Sequence, residues 1–457
     1  MTRQHVQTVT VIPSARRLVT SLRDVGYDFV HAIADLIDNS ITANATEVNI
    51  VVRFDGPDSW VRVADNGEGM GGGAITEAMR YGSQRGYGID DLGKFGLGLK
   101  TASLSQCRQL SVASRTDPAR RRIECRRFDL DRVEASDTWE IEVLGAGDRR
   151  SELVEPLTDG PGTVVLLSRL DRVLEYKVPW GERARTGLYD LAERLDLHLG
   201  MVFHRFLAGD VRRRPRLTIT VNGTKVEPWD PFARDEPATE SLPAIELDVV
   251  TPACSGLVRL EPWVLPPRDA FSSPRAFERM AGPAKWNQQQ GLYIYRANRL
   301  IQSGGWNRLR AADEHTKLAR AAVEFFPDLD PAFEINIAKM RVNLPGDLRD
   351  KLKNPVENLV RRAQAVYRQG QRRPPPPGRS TPPPGPGPGR DRSSDSSRPD
   401  QQGGPVTGAS EAPRAGQQLG RAVEAAALAA GEHEALSRVI RKLRSVDPGA
   451  ARDLGWD

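Results

Sequence analysis

Three short stretches between residues 32 and 101 constrain the fold of this chain more than anything else in it. The first is Ala32-Ile33-Ala34-Asp35-Leu36-Ile37-Asp38-Asn39-Ser40. The second is Ala64-Asp65-Asn66-Gly67-Glu68-Gly69-Met70, and the third Leu92-Gly93-Lys94-Phe95-Gly96-Leu97-Gly98-Leu99-Lys100-Thr101. Around the first, Phe29, Ile33, Leu36, Ile37 and Ile41 recur at the spacing of a buried helical stripe. Asp35 and Asn39 stand one turn apart and share one face of that helix, with Asp38 beside them. Before the second, the alternation in Trp60-Val61-Arg62-Val63-Ala64 predicts a strand ending at Asp65. Gly67 and Gly69 then permit left-handed backbone and close approach of another group.

These residue types in this order suit one chemistry. A carboxylate and an amide on one helix face orient a water and supply an oxygen ligand to Mg2+. A carboxylate at a strand end accepts from an exocyclic amine such as that of adenine. Glycines 93, 96 and 98 free backbone N–H groups for an anion nest, and Lys94 and Lys100 add charge. The apolar residues after Gly98 predict a helix there, with its N-terminus toward the phosphates. Each piece alone has a plainer reading: an amphipathic helix with a wet polar face, an Asp-Asn-Gly turn, a glycine-rich loop. The P-loop pattern is absent. The three together, in this order, point to an ATP–Mg2+ site.

This arrangement resembles the GHKL superfamily of ATPases, which includes gyrase, histidine kinases and MutL. Asp35-Leu-Ile-Asp-Asn39-Ser40 and Gly93-Lys-Phe-Gly96-Leu-Gly98-Leu-Lys100 look most like the MORC and bacterial MORC-like branch. The resemblance implies an α/β Bergerat fold, an α+β sandwich with an ATP lid. It implies Asn39 as the Mg2+ ligand and Asp65 as the adenine reader. Gly67, Gly69, Met70, Gly93, Lys94, Phe95, Gly96, Gly98, Lys100 and Thr101 would line the nucleotide. Thr163, in Asp159-Gly-Pro-Gly162-Thr163, resembles the later glycine-threonine motif near the adenine. The family's general base is a glutamate four residues before the magnesium asparagine, and here that position is Asp35. Aspartate is one methylene shorter, and a small displacement of a catalytic group costs large factors in rate. Asp38 has the wrong spacing for the same role.

The expected organisation is an ATPase domain at 1–180, a transducer-like α/β domain at 181–368, a linker at 369–413 and a helical tail at 414–447. The second domain rests on Leu217-Thr-Ile-Thr-Val221 before an Asn222-Gly223 turn and on Gly291-Leu-Tyr-Ile-Tyr-Arg296-Ala-Asn298-Arg299. The latter phrase resembles MutL and MORC transducers, and the resemblance implies a lysine that reaches the γ-phosphate. Lys339 is the candidate, with a surface lysine as the alternative. Residues 186–207 read as a buried helix whose His198 and His204 are packing or surface residues. The proline-rich linker cannot bury enough apolar surface to fold. In the tail, Leu436, Val439, Ile440 and Leu443 have helical spacing and suit docking on a partner protein.

Cys107, Cys125 and Cys254 have neither zinc nor disulfide spacing, as in a reducing compartment. With no long apolar run and no signal-peptide h-region, the expectation is a cytoplasmic protein with no membrane partner. The net charge of +5 is mild for 457 residues. Arg120-Arg-Arg122 with Arg126-Arg127, and Arg212-Arg-Arg214 with Arg216, are either solvated turns or a surface for non-specific DNA binding. The leading expectation is a Mg2+-dependent ATPase that forms an ATP-dependent homodimer, a clamp on DNA, with residues 1–27 exchanging between copies. For a bacterial MORC-like protein the resemblance implies a part in phage defence or a restriction-linked role. The alternatives are a chaperone-like ATPase on a protein client and a nucleotide-gated scaffold with little hydrolysis. A histidine kinase would need a phosphoacceptor histidine on a helical hairpin ahead of the site.

Overall fold

A computed structural model describes residue 9, residues 11–24, 27–82, 98–117, 119, 122–335 and 342–372, and residues 436, 440, 444, 451, 452 and 456. Gly93, Lys94, Phe95, Gly96, Lys339 and residues 373–413 of the expected linker lie outside these. The chain divides into two units, Met1–Gly378 and Arg379–Asp457. In the second unit Leu436, Ile440 and Arg444 are helical, within the expected tail, and Leu436 and Ile440 are half-buried. No helix among the described residues is long and apolar enough to cross a membrane.

The larger unit is α/β. It opens with α1 (Ala15–Arg23), capped by the Ser14 hydroxyl, and α2 (Phe29–Thr42), capped by Asp28, whose carboxylate accepts from the His31 amide. The predicted stripe of α2 is buried along its length. Next come β1 (Glu47–Arg53), β2 (Trp60–Asp65), α3 (Gly72–Ala78) and α4 (Gly98–Leu104). They are followed by β3 (Gln109–Arg115), β4 (Glu124–Asp129), α5 (Leu130–Ser136), β5 (Glu142–Val143), α6 (Ser151–Val154) and β6 (Gly162–Ser168). The helices α7 (Glu182–Val202) and α8 (His204–Ala208) lead to β7 (Thr218–Val221) and β8 (Thr224–Lys225).

These eight strands form one sheet in the order β5-β4-β3-β6-β2-β1-β7-β8. The period-two alternation of strands sorts side chains to two faces. Val48, Ile50, Val63, Val112, Val165 and Leu167 pack under α1, α2 and α7. Ala64, Ala113, Val164 and Leu166 face Leu153 and Leu157 on the opposite side. β6 is therefore covered on both faces, and all seven of its residues are buried. The strand expected to open the second domain behaves differently: Thr218–Val221 pairs parallel with β1, Thr218 opposite Glu47. The first sheet thus reaches past residue 180 to Lys225. The long crossover helix α7 shares its core through Leu188, Leu195 and Leu199, and such a helix returns the chain to a parallel partner.

A second sheet holds β9 (Glu240–Ser241), β10 (Ile245–Val250), β11 (Ser255–Val264), β12 (Gly291–Arg296), β13 (Arg299–Gln302) and β14 (Ala319–Phe325). Its order is β10-β11-β14-β12-β13, with β9 on β11. The long helix Gly346–Arg372 covers it with a stripe of Leu348, Leu352, Val356, Leu359, Ala363 and Val366. β12 and β13 form a hairpin whose central residues Ala297 and Asn298 have φ of 46° and 70°. Left-handed backbone at both central positions gives the turn that matches strand twist. The tip of this hairpin lies on the first layer: Ala297 packs on its core, and Arg205 of α8 donates to Asn298 Oδ1 at 3.2 Å.

Candidate active site

The centre of the site is α2. From Ala32 to Ile41 every residue but one is buried, and the exception is Asn39, which is exposed. Asn39 alone on this stretch is open to a ligand from outside. One turn earlier, Asp35 is only 3% exposed. Its Oδ2 accepts the Tyr27 hydroxyl at 2.8 Å. α4 packs on α2, and a Cβ built on Gly98 would stand 3.6 Å from the same oxygen. The start of α4 and the carboxylate are thus direct neighbours. Burial, and then the Asp35 charge, push the Tyr27 phenol well above its ordinary value. Tyr27 therefore remains a donor.

Asp65 closes the other end of the site. It ends β2 directly opposite Thr163 of β6. Its Oδ1 accepts the Gly67 amide at 3.0 Å and the Thr163 amide at 3.2 Å, while Oδ2 accepts the Ser40 hydroxyl at 2.9 Å. A carboxylate oxygen takes about two donors, so Oδ1 is filled and Oδ2 retains one place. Burial raises the Asp65 carboxyl, against the three donors that lower it. Ser114 ties the surroundings together. Its hydroxyl accepts the Met70 amide at 2.7 Å, bonds the Gly162 carbonyl at 2.8 Å and lies 2.9 Å from Thr163 Oγ1. Gly69 and Gly162 are obligatory here. They have φ of +68° and +149°, and an added Cβ would stand 2.0 Å from the Arg115 and Asp65 carbonyl oxygens respectively. Gly67 meets the Ala43 carbonyl in the same way, at 2.7 Å.

The structure brings Asp35, Asn39, Asp65, Gly67, Met70 and Thr163 together around one end of the first sheet, with Gly98 beside Asp35. Lys100 is placed inward. It is buried, and its ammonium donates to the Ala78 carbonyl at 3.0 Å, 5.9 Å from the centre of the Tyr81 ring. Burial brings it down to about 8, against the attraction of Glu77. Thr101 is buried, and its hydroxyl has no hydrogen-bond partner among the described residues. Of the basic clusters, Arg126, Arg127, Arg214 and Arg216 are engaged internally, Arg214 donating to the Ile41 carbonyl at the end of α2. Arg212 and Arg213 are exposed. His204 is buried against the Tyr295 hydroxyl, and His198 packs on His31, in keeping with packing roles.

Sequence reasoning missed Tyr27, Ser114 and Arg299. Arg299 is fully buried, and its Nε donates to Asp38 Oδ1 at 2.9 Å. Tyr27 lies just ahead of the α2 cap and Ser114 on β3, with no sequence pattern linking them to Asp35 or Asp65. Ser40 stood in the quoted stretch without a role.

The residues fit Mg2+–ATP. The exposed oxygen donor of Asn39 suits a hard cation, and the free place on Asp65 Oδ2 suits an amine donor. No curated protein matches the sequence. A solved structure, described as the N-terminal domain of a DNA repair protein, is similar at 16% identity and a TM-score of 0.43. The match covers 77% of this chain and 98% of that one. Residues 27–159 match the model of the family described as histidine kinase-, DNA gyrase B- and HSP90-like ATPases, and the chain carries a domain of that GHKL type there.

Proposed function

We propose that this chain binds ATP with Mg2+ at the α2–β2–β6 site and hydrolyses it, and that the nucleotide controls the pairing of two copies. The observation that carries the reading is the placement of Asn39 and Asp65 at two ends of one site, with Asp35 of α2 facing the start of α4. In this reading Asp65 Oδ2 accepts the adenine amine. Asn39 would hold the metal, which when bound supplies charge neutralisation on the phosphates. Asp35 orients a water and accepts its proton, while Tyr27 fixes the far oxygen of the carboxylate. Gly98 stands beside Asp35, on the side where the phosphates would lie, and the family resemblance gives Gly93, Lys94, Phe95 and Gly96 a phosphate-binding role. Lys100, turned inward to the Ala78 carbonyl, would support the start of α4 rather than touch the phosphates.

Pairing of copies is supported by Val9, Val11 and Ile12, which stand 85%, 84% and 78% exposed ahead of α1. An apolar segment left in water seeks a partner surface. Arg212 and Arg213 offer a small basic surface for phosphate backbones, and the MORC and MutL resemblance makes DNA the leading client. A part in defence or restriction, a cytoplasmic location, and Lys339 as a γ-phosphate contact belong to the same proposal. The test is ATP turnover with and without duplex DNA, alongside the mass in solution with a non-hydrolysable analogue. Doubling of mass with analogue and faster turnover with DNA are expected. A monomer with analogue bound, turning over ATP regardless of DNA, would defeat the clamp and direct attention to a protein client.

A further inference from the structure

Arg299 belongs to β13 of the second sheet, yet its guanidinium lies among the acidic side chains of α2, 261 residues away in sequence from Asp38. It is 2% exposed. Its Nε holds Asp38 at 2.9 Å, and its Nη2 stops 3.5 Å from Asp35 Oδ1. That Nη2 has no hydrogen-bond partner among the described residues. Asp35 thus stands between two donors of different kinds. On Oδ2 it has Tyr27, from the segment just ahead of its own helix. At Oδ1 it faces a charged N–H from another layer of the molecule, at ion-pair distance but not hydrogen-bonded.

An unengaged N–H on a buried guanidinium is costly, so a small approach of the hairpin toward α2 is favourable on that account. Its withdrawal leaves buried carboxylates without their cation, which is unfavourable. The hairpin is in turn fixed to its own sheet. Arg296, at the end of β12, is paired with Asp330 at 2.7 Å, and the Ala297 amide donates to the Phe325 carbonyl at 3.1 Å. Movement of the second sheet is therefore carried to Oδ1 of Asp35 with little slack.

We propose that Arg299 is a positioning residue for Asp35, through which the second sheet sets the geometry of the base. This rests on the ATPase reading above. Arg299 touches no reacting atom; it fixes Asp38 and governs where Asp35 points.

The test uses the full chain with Arg299→Gln and Arg299→Lys. Calorimetry reads the affinity for a non-hydrolysable ATP analogue, steady-state kinetics separates kcat from KM, and hydrogen exchange follows residues 291–302. With Arg299→Gln, analogue affinity is expected to stay within about threefold while kcat falls by about 100-fold, the loss typical of a misplaced catalytic group. Arg299→Lys restores part of kcat, because it returns the charge without the fork. In the unmodified protein the analogue slows exchange in the hairpin, and Arg299→Gln removes that response. If Arg299→Gln fails to melt cooperatively, the lysine variant carries the comparison. A folded glutamine variant with unchanged kcat would overturn the proposal. So would hairpin exchange in the unmodified protein that ignores bound analogue, which decides the matter even where turnover is negligible. Failure of the unmodified protein to bind analogue would instead refute the ATPase reading, and calorimetry shows that separately.

Discussion

Asp65 has three protein donors on two oxygens, and that count decides what it has left to offer a ligand. Asparagine at this position keeps an acceptor but turns an NH2 group toward a donor, either Ser40 or the two amides. We expect Asp65→Asn to weaken ATP binding by about 10–100-fold, the worth of about 1.5–3 kcal/mol for hydrogen bonds to a charged group. Equal affinity by calorimetry would remove Asp65 from the adenine end. His204 gives a prediction of another kind. Burial brings it down to about 3 from the ordinary 6.5, so between those values only the unfolded chain takes up the proton. Stability must then fall as pH falls through that window, and a variant with Gln at this position should show a shallower decline in Tm. Parallel declines in the two proteins would contradict it. The grouping of Asp35, Asn39 and Asp65 was legible because helical spacing and a strand end put them there; the roles proposed for them rest on their chemistry. Arg299 stood in a quoted phrase but gave no signal, because its partners are on an element that only the tertiary fold brings to it.

At the scale of elements, the helix and strand that carry the site follow from their patterns. α2 buries the predicted stripe, and β2 ends at Asp65 before its glycine turn. β7 was recognisable as a strand, but its sheet was not. Its residues suit either layer, and the choice is made by α7, whose buried face returns the chain beside β1. The long helix over the second sheet runs through Pro355, a residue that in sequence argues against a helix interior. Its apolar stripe outweighs that local signal. Gly162 tests how closely the two strands at the site must approach. Alanine there would place a methyl 2.0 Å from the Asp65 carbonyl oxygen, at φ of +149°. Gly162→Ala should cost about 1–3 kcal/mol of stability through strain and overpacking. It should also weaken nucleotide binding, because Asp65 and Thr163 must part. Unchanged stability and affinity would mean that β2 and β6 yield more freely than their register implies.

At the scale of the molecule, two sheets are joined through a hairpin that reaches α2. This gives the second domain a direct hold on the first, built from Arg205, Asn298, Arg299 and Asp38. Under the proposed clamp, such a connection would let the nucleotide state be felt in the second sheet. The glycine-rich stretch 92–101 lies mostly outside the described residues. Its contribution rests on its order relative to Asp35 and Asp65 and on Gly98, which starts α4 against Asp35.

In the proposed function α2 carries a base for ATP hydrolysis, Asp35, separate from the groups that bind the nucleotide. The most direct measurement is ATP turnover by Asp35→Asn beside its affinity for ATP and Mg2+. Affinity within a few-fold of the unmodified protein, with turnover reduced by about 100-fold or more, is the predicted result. Turnover equal to that of the unmodified protein would show that Asp35 is not the base.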